Sequence, residues 1–327
     1  MVTTEWNQAL RNAWAELALH SPHSRYFRTR RLSAELPLDA HAGLRATDDA
    51  PCLVIEAVAP ADSFFEVSGM RLYPAEGEEG PLLVLSLEDA AGIDLFSTVC
   101  ADVLQSAAGA PEKEGLASFL ARLQAWRDFL RERRGGLTPN ETVGLIGELI
   151  VLRRLIQADT RLLPSWSAPD NGLHDFELSG HALEVKSTLG PAATLHISSL
   201  DQLDTSGLRR LDLLHVRLVE TPEGECLEDM IQEIVGCLNK AIARRDFANA
   251  LLRRGLMPDD VGAREFPRVS VRPLTAFAVG NDFPRLVRAS VPPGIADADY
   301  TLELKVIEAH SINADAVLAA FVERGSL

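Results

Sequence analysis

The alternation of apolar and polar positions divides the chain near residue 135. In residues 1–20, "MVTTEWNQALRNAWAELALH", apolar positions recur three and four apart, as in an amphipathic helix. Between about 50 and 100 the pattern becomes that of strands: "CLVIEAV", "RLYPAE" and "PLLVLSLED", separated by Pro, Gly and acidic turns. Helical spacing returns in "LASFLARLQAWRDFLRER" and stops at Gly135-Gly136. That pair sets the expected boundary between an N-terminal β-rich module with flanking helices (1–135) and a second region (136–327).

The second region opens on "LTPNETVGLIGELIVLRRLI". Thr138 is suited to the N-cap, Pro139 to the first helical position, and Glu141 completes a capping box. "HDFELSGHALEVKST" follows as two short strands around Ser179-Gly180. "TLHISSLDQL" reads as a strand leading into a short helix, and "LDLLHVRLVE" as a strand. "LEDMIQEIVGCLNKAIARR" reads as a helix and "YTLELKVIEA" as a late strand. This order predicts an α/β core with a mixed sheet flanked by helices. There is no internal repeat, no low-complexity tract, no G-x-x-x-x-G-K and no G-x-G-x-x-G.

A two-residue turn at Ser179-Gly180 would pair Leu178 with His181, Glu177 with Ala182, Phe176 with Leu183 and Asp175 with Glu184. Alternation then gathers Phe176, Leu178, Leu183 and Val185 on an apolar back, with Asp175, Glu177, Glu184 and Lys186 on the other face. Adjacent carboxylates repel unless a cation lies between them, and oxygen ligands suit Mg²⁺. Lys186 stands beside that site, placed to orient a water or to steady charge on a phosphate. The chain has only four lysines, and a second Glu-x-Lys, Glu303-Leu304-Lys305, lacks a hairpin partner and reads as an ordinary strand face. The competing reading of the first is a solvated polar face with Lys186 paired to a neighbouring acid. Glu148 is the only charge between Glu141 and Arg153, in a helix apolar nearly all round. A buried carboxylate needs a cation or a proton. A metal, Lys186 or a structural arginine would each serve.

Apolar and charged content, 46% and 24%, are those of an ordinary globular protein, and no apolar run reaches transmembrane length. The N-terminus shows no signal-peptide pattern, and Cys52, Cys100, Cys226 and Cys237 form no C-x-x-C. A reducing cytoplasm is the expected setting. The net charge of −15 argues against tight, autonomous nucleic-acid binding. Two basic runs, Arg25/Arg28/Arg30/Arg31 and Arg127/Arg131/Arg133/Arg134, read as solvated helix faces. His174, His181 and His196 have no zinc-ligand spacing. His174-Asp175 on a strand does not fit the helical His-Asp phosphohydrolases.

The succession of "GLIGEL" on a helix, "HDF", a tight turn, "EVKST" and "HISSLDQL" resembles the PD-(D/E)XK phosphodiesterase superfamily. Within it, the chain is most similar to bacterial PD-(D/E)XK motif proteins of restriction-modification-like phage-defence clusters. The likeness spans about 45–310, with "DFPRL…VPPGI…Y" adding to it, and its specific motifs lie in 138–205. It implies a restriction-endonuclease-like core and a Mg²⁺-dependent (or Mn²⁺-dependent) DNA endonuclease. Residue by residue, Asp175, Glu184 and Glu148 match the metal-holding acids and Lys186 the catalytic lysine. Gln202 matches the glutamine that follows the motif and contacts the site or the phosphate. The literal Pro169-Asp170 falls in expected loop, so Asp170 is the weaker substitute for Asp175. The acidic chain implies that a homodimer or a partner, such as a defence ATPase, supplies targeting, with the N-terminal module as the place of contact. A non-catalytic nuclease-fold scaffold or DNA-targeting subunit is the main alternative, and a nucleotide phosphohydrolase on the same site is a third.

Overall fold

A computed structural model describes residues 3–19, 26–60, 65–78, 80–132, 137–258, 260 and 266–325. The chain forms two compact units: 1–135 with 240–258, and 136–239 with 259–327. Segment 240–258 thus packs with the N-terminal unit, although it lies within the stretch expected to form the second region. Gly135-Gly136 lies outside the described residues.

The first unit is a six-stranded antiparallel sheet carrying helices. Its strands are β1 (Phe27–Arg31), β2 (Ala40–Arg45), β3 (Pro51–Glu56), β4 (Phe65–Val67), β5 (Met70–Glu76) and β6 (Pro81–Leu87), in spatial order β1-β2-β3-β6-β5-β4. Leu53 and Ile55 of β3 face a core shared with α1 (Thr3–Ala18), α2 (Ile93–Ala108) and α3 (Gly115–Glu132). Cys52 and Val54 face the opposite side, with Val84 and Phe27.

Three expectations change here. Helix α2 was not foreseen, although Phe96, Val99, Cys100, Val103, Leu104 and Ala107 recur at helical spacing along its buried face. The first basic run lies on strand β1 rather than a helix, and its charges are compensated: Arg28 by Asp49, Arg30 by Glu16 and Arg31 by Asp39. Arg25, Arg133 and Arg134 lie outside the described residues. The helix read through 227–245 is two helices, α5 (Leu227–Cys237) and α6 (Ala241–Arg253), which belong to different units.

A buried polar group ties α6 to the first unit. Asp102 on α2 accepts hydrogen bonds from Arg122 Nε (2.6 Å) and Trp126 Nε1 (2.6 Å) on α3. Arg122 also donates to the Ala248 carbonyl (2.7 Å) and Asn249 Oδ1 (3.2 Å) on α6. A buried charge persists only when so satisfied, and this one fixes three helices at once.

The second unit begins with α4 (Pro139–Ala158), whose Thr138 N-cap and Glu141 form the expected capping box. Its sheet has the order β14-β12-β10-β8-β7: β7 (Phe176–Leu178), β8 (His181–Leu189), β10 (Arg210–Glu225), β12 (Thr275–Ala278) and β14 (Ser311–Ile312). Strand β8 pairs antiparallel with β7 and parallel with β10. β11 (Val269–Val271) adds to the far end of β10. β9 (Thr194–Ile197) and β13 (Tyr300–Glu303) form a separate two-stranded layer. The mixed α/β sheet is therefore as expected. The "YTLELKVIEA" strand is shorter than read, because Leu304–Ile307 is a helical turn that carries Lys305. No short helix forms in "SSLDQL", whose residues make turns.

Sheet parity explains where the site lies. On one face of β8, Val185 and Ser187 meet Gly147 of α4. On the other, Ala182 joins a cluster with Leu195, Ile197, Leu211, Leu213, Phe277 and Leu302. Glu184 and Lys186 share this second face, beyond the apolar cluster. The α4 face also buries a group the periodicity did not suggest. His181 Nε2 lies 2.7 Å from Asp212 Oδ2, which Arg210 Nε also contacts at 2.6 Å.

Candidate active site

The hairpin turns at Ser179-Gly180, with φ of 50° and 76°. Two successive positive φ angles define the type I′ turn that matches strand twist. Leu178 pairs with His181, Glu177 with Ala182 and Phe176 with Leu183, in the expected register. Glu177 is exposed.

Asp175 departs from that register. Its backbone carbonyl accepts from the Ser167 and Ala168 amides (2.9 and 3.2 Å), and its carboxylate Oδ2 accepts from the Val185 amide (2.7 Å). The ladder ends at Phe176–Leu183, so the Val185 N–H lacks a partner on β7, and the Asp175 side chain takes it. The departure brings the carboxyl across the end of the hairpin rather than directly opposite Glu184.

The carboxyl of Asp175 is pushed well above the ordinary aspartate value. Burial is the largest cause, followed by the charges of Glu184 and Glu148. The Val185 hydrogen bond and the Lys186 charge act in the opposite sense. The three acids and the lysine thus form one electrostatic group. Glu184 is buried, and its Oε1 lies 2.8 Å from Lys186 Nζ. Lys186 also donates to Gln202 Oε1 (2.8 Å), which accepts from the Ser198 amide at 3.0 Å. Gln202 therefore reaches the site from a turn rather than a helix. Glu148 is buried and accepts from Trp166 Nε1 at 2.9 Å. Trp166, unremarked in the sequence, sits next to the hairpin through an isolated bridge to Phe176.

Close approach of α4 depends on Gly147. A Cβ there would lie 1.7 Å from Ser187 Oγ and 3.0 Å from Ser187 Cβ. Gly147→Ala is expected to cost about 1–3 kcal/mol by overpacking. Most of that cost should vanish in a Ser187→Gly background, as a double-mutant cycle by thermal or chemical denaturation would measure. An unchanged cost in that background would place the strain elsewhere.

Asp170 lies in a 3-10 turn and is exposed, and His196 is exposed on β9. His174 is buried beside the site, where burial lowers its pKa, and His181 belongs to the Asp212 group. The three histidines do not converge on one ion.

Carboxylates whose charges oppose that of Asp175 offer the oxygen donors a hard divalent cation takes, and a cation would offset that repulsion. Each acid is nonetheless drawn to its own partner: Asp175 to Val185, Glu184 to Lys186, Glu148 to Trp166. Among the described residues, the group whose ligand atoms all lie within 4.8 Å of one another is a different one, Asp39, His41 and Glu56 in the first unit. Asp39 and His41 point to one side of β2, and the Glu56 amide donates to the Asp39 carbonyl, which places Glu56 beside them. His41 Nε2 lies 2.9 Å from Glu56 Oε1, and Arg31 Nε lies 2.8 Å from Asp39 Oδ1. His41 and Glu56 also line a cavity of about 570 Å³. This is a candidate metal-chelating cluster that sequence reading missed, because only the β2–β3 register brings its members together.

No helix among the described residues is long and apolar enough to cross a membrane. No curated protein and no solved structure matches the chain. A family model described as "Putative PD-(D/E)XK family member, (DUF4420)" matches residues 10–305, spanning nearly all of both units. The chain belongs to this PD-(D/E)XK-like family.

Proposed function

We propose that the chain hydrolyses phosphodiester bonds of DNA with Mg²⁺ or Mn²⁺, as an endonuclease of a prokaryotic restriction or phage-defence system. The observation that carries this reading is the joining of Asp175, Glu184 and Glu148 into one electrostatic group with Lys186 and Gln202. Asp175 and Glu184 would hold the cation, and Glu148 would complete or organise its site. A bound cation would supply Lewis acidity at the phosphate and a water of lowered pKa. Lys186 would orient the attacking water and offset charge growing on the phosphate, while Gln202 fixes the lysine's direction. The setting in phage defence rests on the likeness of the helix–hairpin–strand motif to proteins of such clusters.

Targeting falls to a partner or to a second copy. With a net charge of −15, the chain alone should bind duplex DNA no tighter than about 10⁻⁴–10⁻⁶ M at physiological salt. A mobility-shift titration showing nanomolar affinity for the lone chain would contradict this.

Nicking of supercoiled plasmid by purified protein tests the activity. Nicking should appear with Mg²⁺ or Mn²⁺, disappear with chelator, and disappear in Asp175→Ala and Glu184→Ala together with calorimetric metal binding. Metal binding without nicking, across a range of DNA forms, would favour the non-catalytic scaffold. Hydrolysis of nucleotides instead of DNA would favour a small-molecule phosphohydrolase.

A further inference from the structure

The face of the sheet that carries Lys186 continues toward two arginines. In the parallel register of β8 and β10, Leu213 lies beside Glu184, His215 beside Lys186 and Arg217 beside Thr188. Alternation therefore sets Arg217 on the same face as Glu184 and Lys186. On its other side β10 meets β11 antiparallel, with Leu218 opposite Val271. The Arg272 amide then donates to the Arg217 carbonyl at 2.9 Å, which places Arg272 directly opposite Arg217.

Two like charges so placed have Cβ atoms about 4.5–5.5 Å apart and repel. Both arginines are exposed, and neither has an ion pair among the described residues. Several other surface arginines of this acidic chain have such partners, among them Arg154 with Asp315, Arg161 with Asp159 and Arg288 with Asp201. Between the doublet and Lys186, His215 is buried and its Nε2 lies 2.8 Å from Thr188 Oγ1. From Lys186, Arg217 is two residues along and one strand across. With about 3.3 Å per residue and 4.8 Å between strands, the separation is roughly 8 Å. Phosphates recur about every 3.4 Å of helix axis along one DNA strand, so this reach covers the phosphates flanking the one attacked.

We propose that Arg217 and Arg272 form a phosphate subsite that holds the DNA strand next to the scissile position. The subsite rests on the nuclease reading of the Lys186 site. An anion between the guanidiniums would turn their repulsion into a shared bond, as a cation does for opposed carboxylates.

The test compares wild type, Arg217→Ala/Arg272→Ala and Arg217→Lys/Arg272→Lys. Fluorescein-labelled single-stranded and duplex oligonucleotides report binding by anisotropy at low salt without divalent metal, and plasmid nicking with Mg²⁺ gives kcat and KM. The alanine pair should weaken binding at least about tenfold and flatten the slope of log K against log salt by about 0.7–0.9, for the one phosphate no longer neutralised. KM should rise with kcat within about threefold, the lysine pair should restore most of the salt slope, and Tm should not fall. Unchanged binding and slope in the alanine pair overturns the subsite, as does a loss confined to kcat. A wild type that binds no DNA even at low salt also overturns it. A wild type that binds through the doublet but never cleaves refutes the activity and leaves the subsite standing.

Discussion

Lys186→Ala should lower Mg²⁺-dependent cleavage by about 10²–10⁴-fold, the range of a positioned proton-transfer or charge-stabilising group. The ammonium sits between Glu184 Oε1 and Gln202 Oε1, 2.8 Å from each, so its direction is set from two sides. Alanine removes the group that would face the water and the phosphate, but it removes no oxygen ligand. Metal affinity should therefore hold or rise, because three clustered acids lose their one opposing cation. Gln202 keeps its bond from the Ser198 amide, so the turn should stay in place. Lys305→Ala supplies the control. Lys305 is exposed on the single helical turn Leu304–Ile307, and its loss should change stability by no more than about 0.5 kcal/mol and leave cleavage alone. Single-turnover nicking with calorimetry for Mg²⁺ separates these outcomes. Cleavage by Lys186→Ala within tenfold of wild type would remove the lysine from the mechanism.

The parts of the site legible in the sequence were those fixed by local rules. Ser179-Gly180 set the hairpin register because a two-residue turn with positive φ has few alternatives. Glu148 stood out because no other charge lies between Glu141 and Arg153. What stayed hidden depended on where a strand stops or on a distant segment. Asp175 leaves the ladder because the Val185 N–H is open, and no pattern of residue types announces that a ladder ends one pair early. Trp166 reaches Glu148 from a 3-10 turn whose path follows the hairpin. The assignment of α6 to the first unit follows from Arg122, Asp102 and Asn249, residues spread over nearly 150 positions. Periodicity on one helix cannot reveal such a set. It also misjudged "SRYFRTRRLS", because strand β1 places its arginines against acids of α1, the β2 edge and a turn.

Asp175→Asn should raise the thermal stability of the metal-free protein while abolishing metal-dependent cleavage, a loss of at least about 10³-fold if the residue holds the cation. Asparagine keeps an oxygen to accept the Val185 N–H, so the hairpin end retains its bond. What disappears is a charge that burial, Glu184 and Glu148 all oppose. The pH dependence carries the sign. The folded-state pKa of Asp175 lies above its ordinary value of 3.8. Between that value and the raised one, the folded chain keeps a proton that the unfolded chain has released. Stability from this group therefore falls as pH rises through the window, and the full penalty remains above it. Wild-type Tm without metal should decline across that range more steeply than the Tm of Asp175→Asn. The gap between them should widen with pH, by about 2–4 °C for each kcal/mol of penalty removed. Added Mg²⁺ should reverse the order. It replaces the proton in wild type, so its stabilising effect grows with pH, and it should leave the variant unmoved. Scanning calorimetry at several pH values, with and without Mg²⁺, tests both halves. If Asp175→Asn melts below wild type throughout, or if Mg²⁺ stabilises both proteins equally, Asp175 is not the acid that holds the cation.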